Sequence, residues 1–300
     1  MATRSRGPSA GFGWLNRGIS VGFRYPKPIF SGAILVMLAV LIPTLITLAL
    51  EFYALHGGTP PQPTAFVWIS AVSALLGLLI LPIYAGYLRV IDAVEQELPV
   101  RASDVVKPYR EGKALRLIGY GVVMMVVYFA MFAIVIAMTG GDTAHWYAQA
   151  LTARANHQPP PTSLPDGFGI TLLLCGVIGI FMMGFYSIGL GQVTLSNRSV
   201  FGAIGDGIVG ALKNLLPLLM LALGSILIWI AVALCFGIVV FLLALIGKLI
   251  GPWLVLVLAI PLYIALILVT FTAMFGVMYH LWRDVCGDDI MTGTAETVAA

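Results

Sequence analysis

The chain has 300 residues, 60% of them hydrophobic and 10% charged, with 16 Lys and Arg against 13 Asp and Glu. Soluble domains carry roughly 25% charged residues. So few charges cannot cover a water-exposed surface of this size, whereas lipid requires none, so the composition excludes a soluble domain and places the chain in a membrane.

The first segment, 1–28, reads as a basic arm carrying Arg4, Arg6, Arg17, Arg24 and Lys27. Phe12, Trp14, Leu15, Ile19 and Phe23 interleave with these charges, a pattern suited to the interface of an anionic leaflet. Gly11, Gly13, Gly18 and Gly22 disfavour a helix. The expectation is an arm that hugs the membrane rather than a folded element. Positive charge followed by an apolar run also resembles a secretory leader. The arm is long, however, the run is 22 residues, and no small-x-small site follows closely, so the first span is expected to stay in the mature protein.

Six charge-free apolar runs follow, at 29–50, 64–88, 117–138, 168–195, 215–246 and 253–279. A helix rises about 1.5 Å per residue and a hydrocarbon core needs about 20 residues, so each run can cross. Barrel strands would alternate apolar and polar residues over ~10 positions, and these runs do not. The expected fold class is all-α, a polytopic transmembrane helical bundle of about six spans over 29–282, with a cytoplasmic tail at 283–300. Fourteen of the 16 Lys and Arg fall on one side of such a bundle; Arg154 and Lys248 are the exceptions. By the positive-inside rule both termini are expected in the cytoplasm of a bacterial inner membrane.

Two of the connections on the basic side carry apolar residues among their charges. Segment 92–113 holds Val94, Leu98, Val105 and Val106, and segment 199–214 spaces Val200, Ile204, Ile208 and Leu212 by four. Both are expected as amphipathic connector helices on the membrane face. Span, connector, span occurs twice, at spans two to three and four to five, which reads as an internal duplication. Between spans three and four, 139–167 carries His145, Trp146, Tyr147 and His157 and reads as a flexible loop with an aromatic patch at the headgroups. Two histidines twelve apart without a third ligand do not make a metal site.

The segment Ala211-Leu212-Lys213-Asn214-Leu215-Leu216-Pro217 and the tail motif Tyr279-His280-Leu281-Trp282-Arg283-Asp284 resemble features of six-helix inner-membrane proteins of proteobacteria. These are similar in turn to the membrane domain attached to some glycerophosphodiester phosphodiesterases. The resemblance implies the six-helix architecture and no particular activity, and this chain has no phosphodiesterase domain.

Candidate chemistry is thin. Gly205-Asp206-Gly207-Ile208-Val209-Gly210 matches the dinucleotide fingerprint, but it lies between two spans instead of after a strand. Ala203, Gly207 and Ala211 form a small-xxx-small row that suits close helix contact instead. Ser70, Ser73, Ser187 and Ser225 lack a Gly-x-Ser-x-Gly frame, and no His-Glu-x-x-His occurs, so no catalytic set is assigned. Cys175 and Cys235 read as small buried hydrophobes inside spans, with Cys286 in the tail. No cofactor, metal or nucleic-acid partner is expected. Pro43, Pro82, Pro217 and Pro261 are expected to bend spans, and Gly176, Gly179, Gly184, Gly189 and Gly191 to loosen the fourth.

No ionisable residue lies in the apolar runs, which argues against an ion-coupled carrier. A polar path for a neutral or lipid-like solute would draw on Thr44, Tyr84, Tyr128, Tyr186, Gln192 and Thr270; the same residues serve equally as helix–helix contacts. Two functions from different classes remain: a non-enzymatic scaffold or assembly factor, and a facilitator or exporter of an uncharged or amphipathic solute. The expected partners are membrane lipid and another membrane protein or a second copy.

Overall fold

The structure is a computed structural model that describes residues 3–56, 63–139, 141–155, 158–159 and 161–287. Among these there is no strand. The helices are α1 (Ala10–Arg24), α2 (Pro26–His56), α3 (Pro63–Glu95), α4 (Lys107–Arg110), α5 (Ala114–Met138), α6 (Asp142–Ala155), α7 (Phe168–Thr194), α8 (Val200–Lys213), α9 (Leu215–Ile250) and α10 (Pro252–Trp282). A 3-10 turn, Ala102–Val106, precedes α4, and a π turn, Arg283–Gly287, extends α10. Six helices, α2, α3, α5, α7, α9 and α10, are long and apolar enough to cross a bilayer, so the chain is a multi-pass membrane protein. The longest, α9, has 36 residues and reaches about 54 Å at 1.5 Å per residue.

The spans pair as three antiparallel hairpins, α2/α3, α5/α7 and α9/α10. The second helix of each forms an inner triangle, since α3, α7 and α10 all touch one another. Each first helix packs on its own partner and on the inner helix of the preceding hairpin: α5 on α3, α9 on α7, and α2 on α10. The arrangement repeats around a pseudo-threefold axis. The two span–connector–span units visible in the sequence are two of its three junctions, and the third is closed between the chain's two ends.

A short element sits at each junction at the end of the bundle that carries both termini. The 3-10 turn packs on α2 and α3, α8 packs on α7, and α1 packs on α9 and α10. Segment 1–28 therefore does not stay an unfolded arm. Its residues 10–24 form a helix whose buried face is Gly11, Trp14, Gly18, Val21 and Gly22. The glycines disfavour an isolated helix but allow backbone contact here. A Cβ at Gly18 would collide with the Val277 backbone, and one at Gly11 with the Pro217 carbonyl. Lipid is as apolar as leucine, so helices in it associate through close packing and hydrogen bonds, and small residues permit the approach.

The same device recurs at the other junctions. A Cβ at Gly86 would overlap the Val105 carbonyl, and one at Gly207 would press on the Phe185 backbone. In α8 the buried face is Ala203, Gly207, Gly210 and Ala211, while Ile208 and Leu212 of the apolar stripe lie exposed. The small residues meet protein and the branched ones are left for lipid. The first connector shows the expected apolar contact through buried Val105, but as a five-residue 3-10 turn and a four-residue helix. Pro99 precedes the 3-10 turn and Pro108 lies in the first turn of α4, and proline removes backbone donors that one continuous helix would use.

Four further expectations change. Pro43, Pro82 and Pro261 do lie inside helices, but Pro217 sits in the first turn of α9, where its missing N–H has no helical acceptor to lose. Gly184, Gly189 and Gly191 of α7 seat Leu218, Tyr120 and Trp282; they tighten the span rather than loosen it. Segment 142–155 of the long loop is helical, with Trp146 Nε1 donating to the Ser163 carbonyl at 2.8 Å. Residues 283–287, expected as tail, are packed: Val285 is buried and the Arg4 N–H donates to its carbonyl at 3.0 Å.

The core sits at the terminal end. Its boundary runs through Val36, Leu81, Met124, Met182, Leu221 and Phe275, and beyond these positions Val135 is the sole apolar residue among the described ones to be buried. Aromatic side chains fill this core, with Tyr84, Tyr87, Phe271 and Phe275 in mutual contact between α3 and α10. The Tyr87 hydroxyl donates to the Ile29 carbonyl at 3.2 Å and lies 3.3 Å from Thr272 Oγ1, tying α2, α3 and α10 together.

Candidate functional site

Each inner helix ends in polar side chains at the terminal face, and each junction element meets them. At the α10–α1 junction Asp284 accepts from Trp14 Nε1 at 2.8 Å and from Arg17 Nη2 at 2.5 Å, while its carbonyl takes Arg6 Nη2 at 2.6 Å. Asn214, the turn between α8 and α9, accepts from the Arg6 N–H at 2.8 Å and donates to the Arg4 carbonyl at 2.9 Å. Lys213 donates to the Thr3 carbonyl at 3.0 Å. The two motifs noted at 211–217 and 279–284 thus meet in space, and both hold the N-terminal segment.

At the α7–α8 junction Asp206 accepts from Gln192 Nε2 at 3.0 Å and from Arg198 Nε at 3.0 Å. The acidic residue of the glycine-rich segment is therefore a structural ion-pair partner within α8. No strand delivers those glycines, and the backbone N–H groups of a helix interior are already used.

At the α3 junction the short connector leaves a cleft of about 360 Å³. Arg89 and Asp92 of α3 line it with Asp104, Lys107, Glu111 and Lys113 of the connector, and Thr194, Leu195 and Asn197 close it from the end of α7. Glu111 accepts from Arg89 Nη1 at 2.9 Å and lies 3.0 Å from Lys113 Nζ. These two hydrogen bonds hold its carboxyl below the ordinary glutamate value. Lys107 pairs with Asp104 at 3.0 Å. Asp92 accepts from Gln96 Nε2 at 2.8 Å and from the Tyr279 hydroxyl at 3.1 Å. Thr194 Oγ1 is buried without a protein partner, as is Arg116 Nε nearby.

The six residues of the sequence-derived polar path are dispersed. Thr44 bonds within its own helix, to the Val40 carbonyl at 2.9 Å. Tyr84 packs on Phe271 and Phe275, and Tyr186 on Tyr120, whose hydroxyl donates to the Tyr186 carbonyl at 3.3 Å. Gln192 is fully buried against Asp206, Thr270 is half-buried in α10, and Tyr128 is exposed beside Met125, Phe129 and Phe132. Among the described residues, no group of three His, Cys, Asp or Glu converges in a metal-binding arrangement. His145 lies on α6, and His157 lies outside the described residues. Cys175 and Cys235, expected to be buried, are exposed on the outer surface of their spans, and Cys286 is buried at the α10 junction.

Nothing in the sequence marks Trp14, Arg17, Asn214 and Asp284 as a unit. The local signal is the polar residues at the ends of two apolar runs, and nothing in the spacing says that residues some 270 positions apart share a hydrogen bond. No protein-family model, curated protein or solved structure matches the chain.

Proposed function

We propose that the chain is a non-enzymatic scaffold or assembly factor of a bacterial inner membrane, with both termini in the cytoplasm. The observation that carries this reading is the division of the bundle. One end is locked by three junction elements, and the other end extends three hairpins whose apolar faces share almost no core. Within a bilayer such faces meet lipid or the helices of another membrane protein, and a rigid base holds them in fixed relative positions. Exposed apolar residues at this end, Phe23 of α1, Phe201 of α8 and Leu115 in the first turn of α5 among them, lie beside Arg24, Arg198 and Arg116, a pattern that seats the base in an anionic leaflet. The resemblance of 211–217 and 279–284 to six-helix inner-membrane proteins supports the same placement.

The test is site-specific photocrosslinking from Phe129, Leu234 and Phe241 in cells, with native mass spectrometry of the gently extracted protein. A stoichiometric protein adduct supports the scaffold; adducts to lipid alone overturn it. Reporter fusions near position 140 and at the C-terminus test the orientation and should read opposite sides. A second reading, a facilitator for an uncharged or amphipathic solute, is favoured by Pro43, Pro82 and Pro261, each of which leaves a carbonyl without its helical donor within a span. Cysteines placed along α3 and α10 on the distal side of Pro82 and Pro261 would then react with hydrophilic thiol reagents.

A further inference from the structure

The three junctions are equivalent in plan and unequal in filling. The 15-residue α1 and the 14-residue α8 fill two of them, and the polar ends of α10 and α7 are bonded directly to those helices. At the third, the 3-10 turn and α4 are too short to fill the notch, and the 360 Å³ cleft remains. The repeat is broken at one place, and that place is lined by six ionisable side chains.

Their signs balance: Arg89, Lys107 and Lys113 face Asp92, Asp104 and Glu111. A lone anion or cation entering the cleft would compete with one member of an existing, partly exposed pair and leave the other without its partner. A molecule carrying both signs can exchange with the pairs one for one. An oxyanion group takes the donors that Arg89 and Lys113 give to Glu111, and an ammonium takes the released carboxylate. The ends of the cleft have matching polarity. Lys113 is the N-cap of α5, which has no side-chain cap, so that end carries the positive helix pole; Thr194 and Leu195 end α7, the negative pole. The volume falls in the range of small-molecule sites.

We infer that this cleft binds a small zwitterion that joins an ammonium to a phosphate-type oxyanion, either the headgroup of a zwitterionic phospholipid or a free solute of the same chemistry. Exposed Leu98 and half-buried Val100 line its rim, giving a lipid's glycerol region an apolar surface to lie on. The inference does not depend on the scaffold reading.

The experiment is calorimetric titration of the full chain in a maltoside detergent with four probes: O-phosphoethanolamine, a short-chain phosphatidylethanolamine, inorganic phosphate and ethylammonium. A zwitterionic probe should bind at one site per chain, with phosphate and ethylammonium each at least about tenfold weaker. Binding of the short-chain lipid but not of the soluble headgroup identifies the bilayer as the source; equal binding identifies a free solute. Lys113→Gln should weaken the zwitterion about tenfold. Leu98→Trp alters no charge and changes an exposed position, so it should keep the melting temperature of the unliganded protein while blocking the cleft. The inference is overturned if neither zwitterion binds, if either single-charge probe binds as well, or if Leu98→Trp binds like the parent chain.

Discussion

Asp284 is the side chain on which the N-terminal segment depends most directly. It accepts from the Trp14 indole and the Arg17 guanidinium, and Trp14 is fully buried. Asp284→Ala would leave the indole N–H without a partner, and a buried unsatisfied donor costs about 1–3 kcal/mol. The expected outcome is a lower melting temperature together with faster proteolysis at Arg4 and Arg6; protection equal to the parent chain would show that Asn214 and glycine packing suffice. Glu111 gives a pH dependence of known sign. Its carboxyl titrates below its unfolded value because Arg89 and Lys113 donate to it. Its contribution is therefore present above the unfolded pKa and is lost as pH falls through the lower, folded value. Acidification from the ordinary glutamate range down through that lower value should open the connector, read as faster cleavage around 107–113 by an acid-active protease, and Glu111→Gln should reduce that pH dependence to the part contributed by Asp104, which the Arg101 N–H and Lys107 hold low in the same way.

At the scale of one element, α1 shows how a poor helix former becomes a fixed part of the structure. Its four glycines have different tasks. Gly13 has open space, with only the end of Arg17 within 4.0 Å, whereas Gly18 lies on the Val277 backbone and Gly276 on the Gly18 carbonyl. Gly13→Ala should stabilise the protein by about 0.8–1 kcal/mol through helix propensity alone. Gly18→Ala should destabilise it by about 1–3 kcal/mol, because the contact has no room for a methyl and α1 must move off α10. Thermal unfolding of the two variants measures both, and like-signed shifts would contradict the assigned packing. The same comparison explains α8, whose branched residues at intervals of four form an apolar stripe expected on the membrane face. Only Val200 and Ile204 of that stripe touch the core, Ile208 and Leu212 are exposed, and the row Ala203, Gly207 and Ala211, visible in the sequence as a contact motif, is the face that packs.

For the whole molecule, the pseudo-threefold plan places α1 at the junction that follows α10, although it is the first element of the chain. Each unit is then a junction element followed by a hairpin, and the start of the chain is one of three equivalent starting points. A circular permutant that joins position 300 to position 1 and opens between Pro99 and Arg101 keeps this order and the side on which both ends lie. The Arg4 N–H to Val285 carbonyl bond places the first and last described segments side by side, and the thirteen residues after Gly287 are ample as a linker. The permutant is expected to insert with the same topology and to remain monodisperse in detergent. Loss of insertion would mean that α1 must precede the first hairpin in synthesis and is not simply the filler of the third junction.

The sequence by itself determined the class, the six spans and the presence of a connector after the second and fourth of them, because lipid imposes length and charge requirements that each segment meets locally. It also held the small-residue row of α8 and the two polar motifs at 211–217 and 279–284. The threefold arrangement was not legible, since the third junction joins residues at opposite ends of the chain and no local period marks it. Nor was the cleft: its six charged residues are divided between the end of α3 and an ordinary-looking connector, and it exists only because that connector is too short for a notch set by packing between α3 and α7. Tertiary structure decided which glycines are contacts, which polar residues are partners, and where the repeat is left open, because each depends on the distance between separate segments instead of on the order of residues within one.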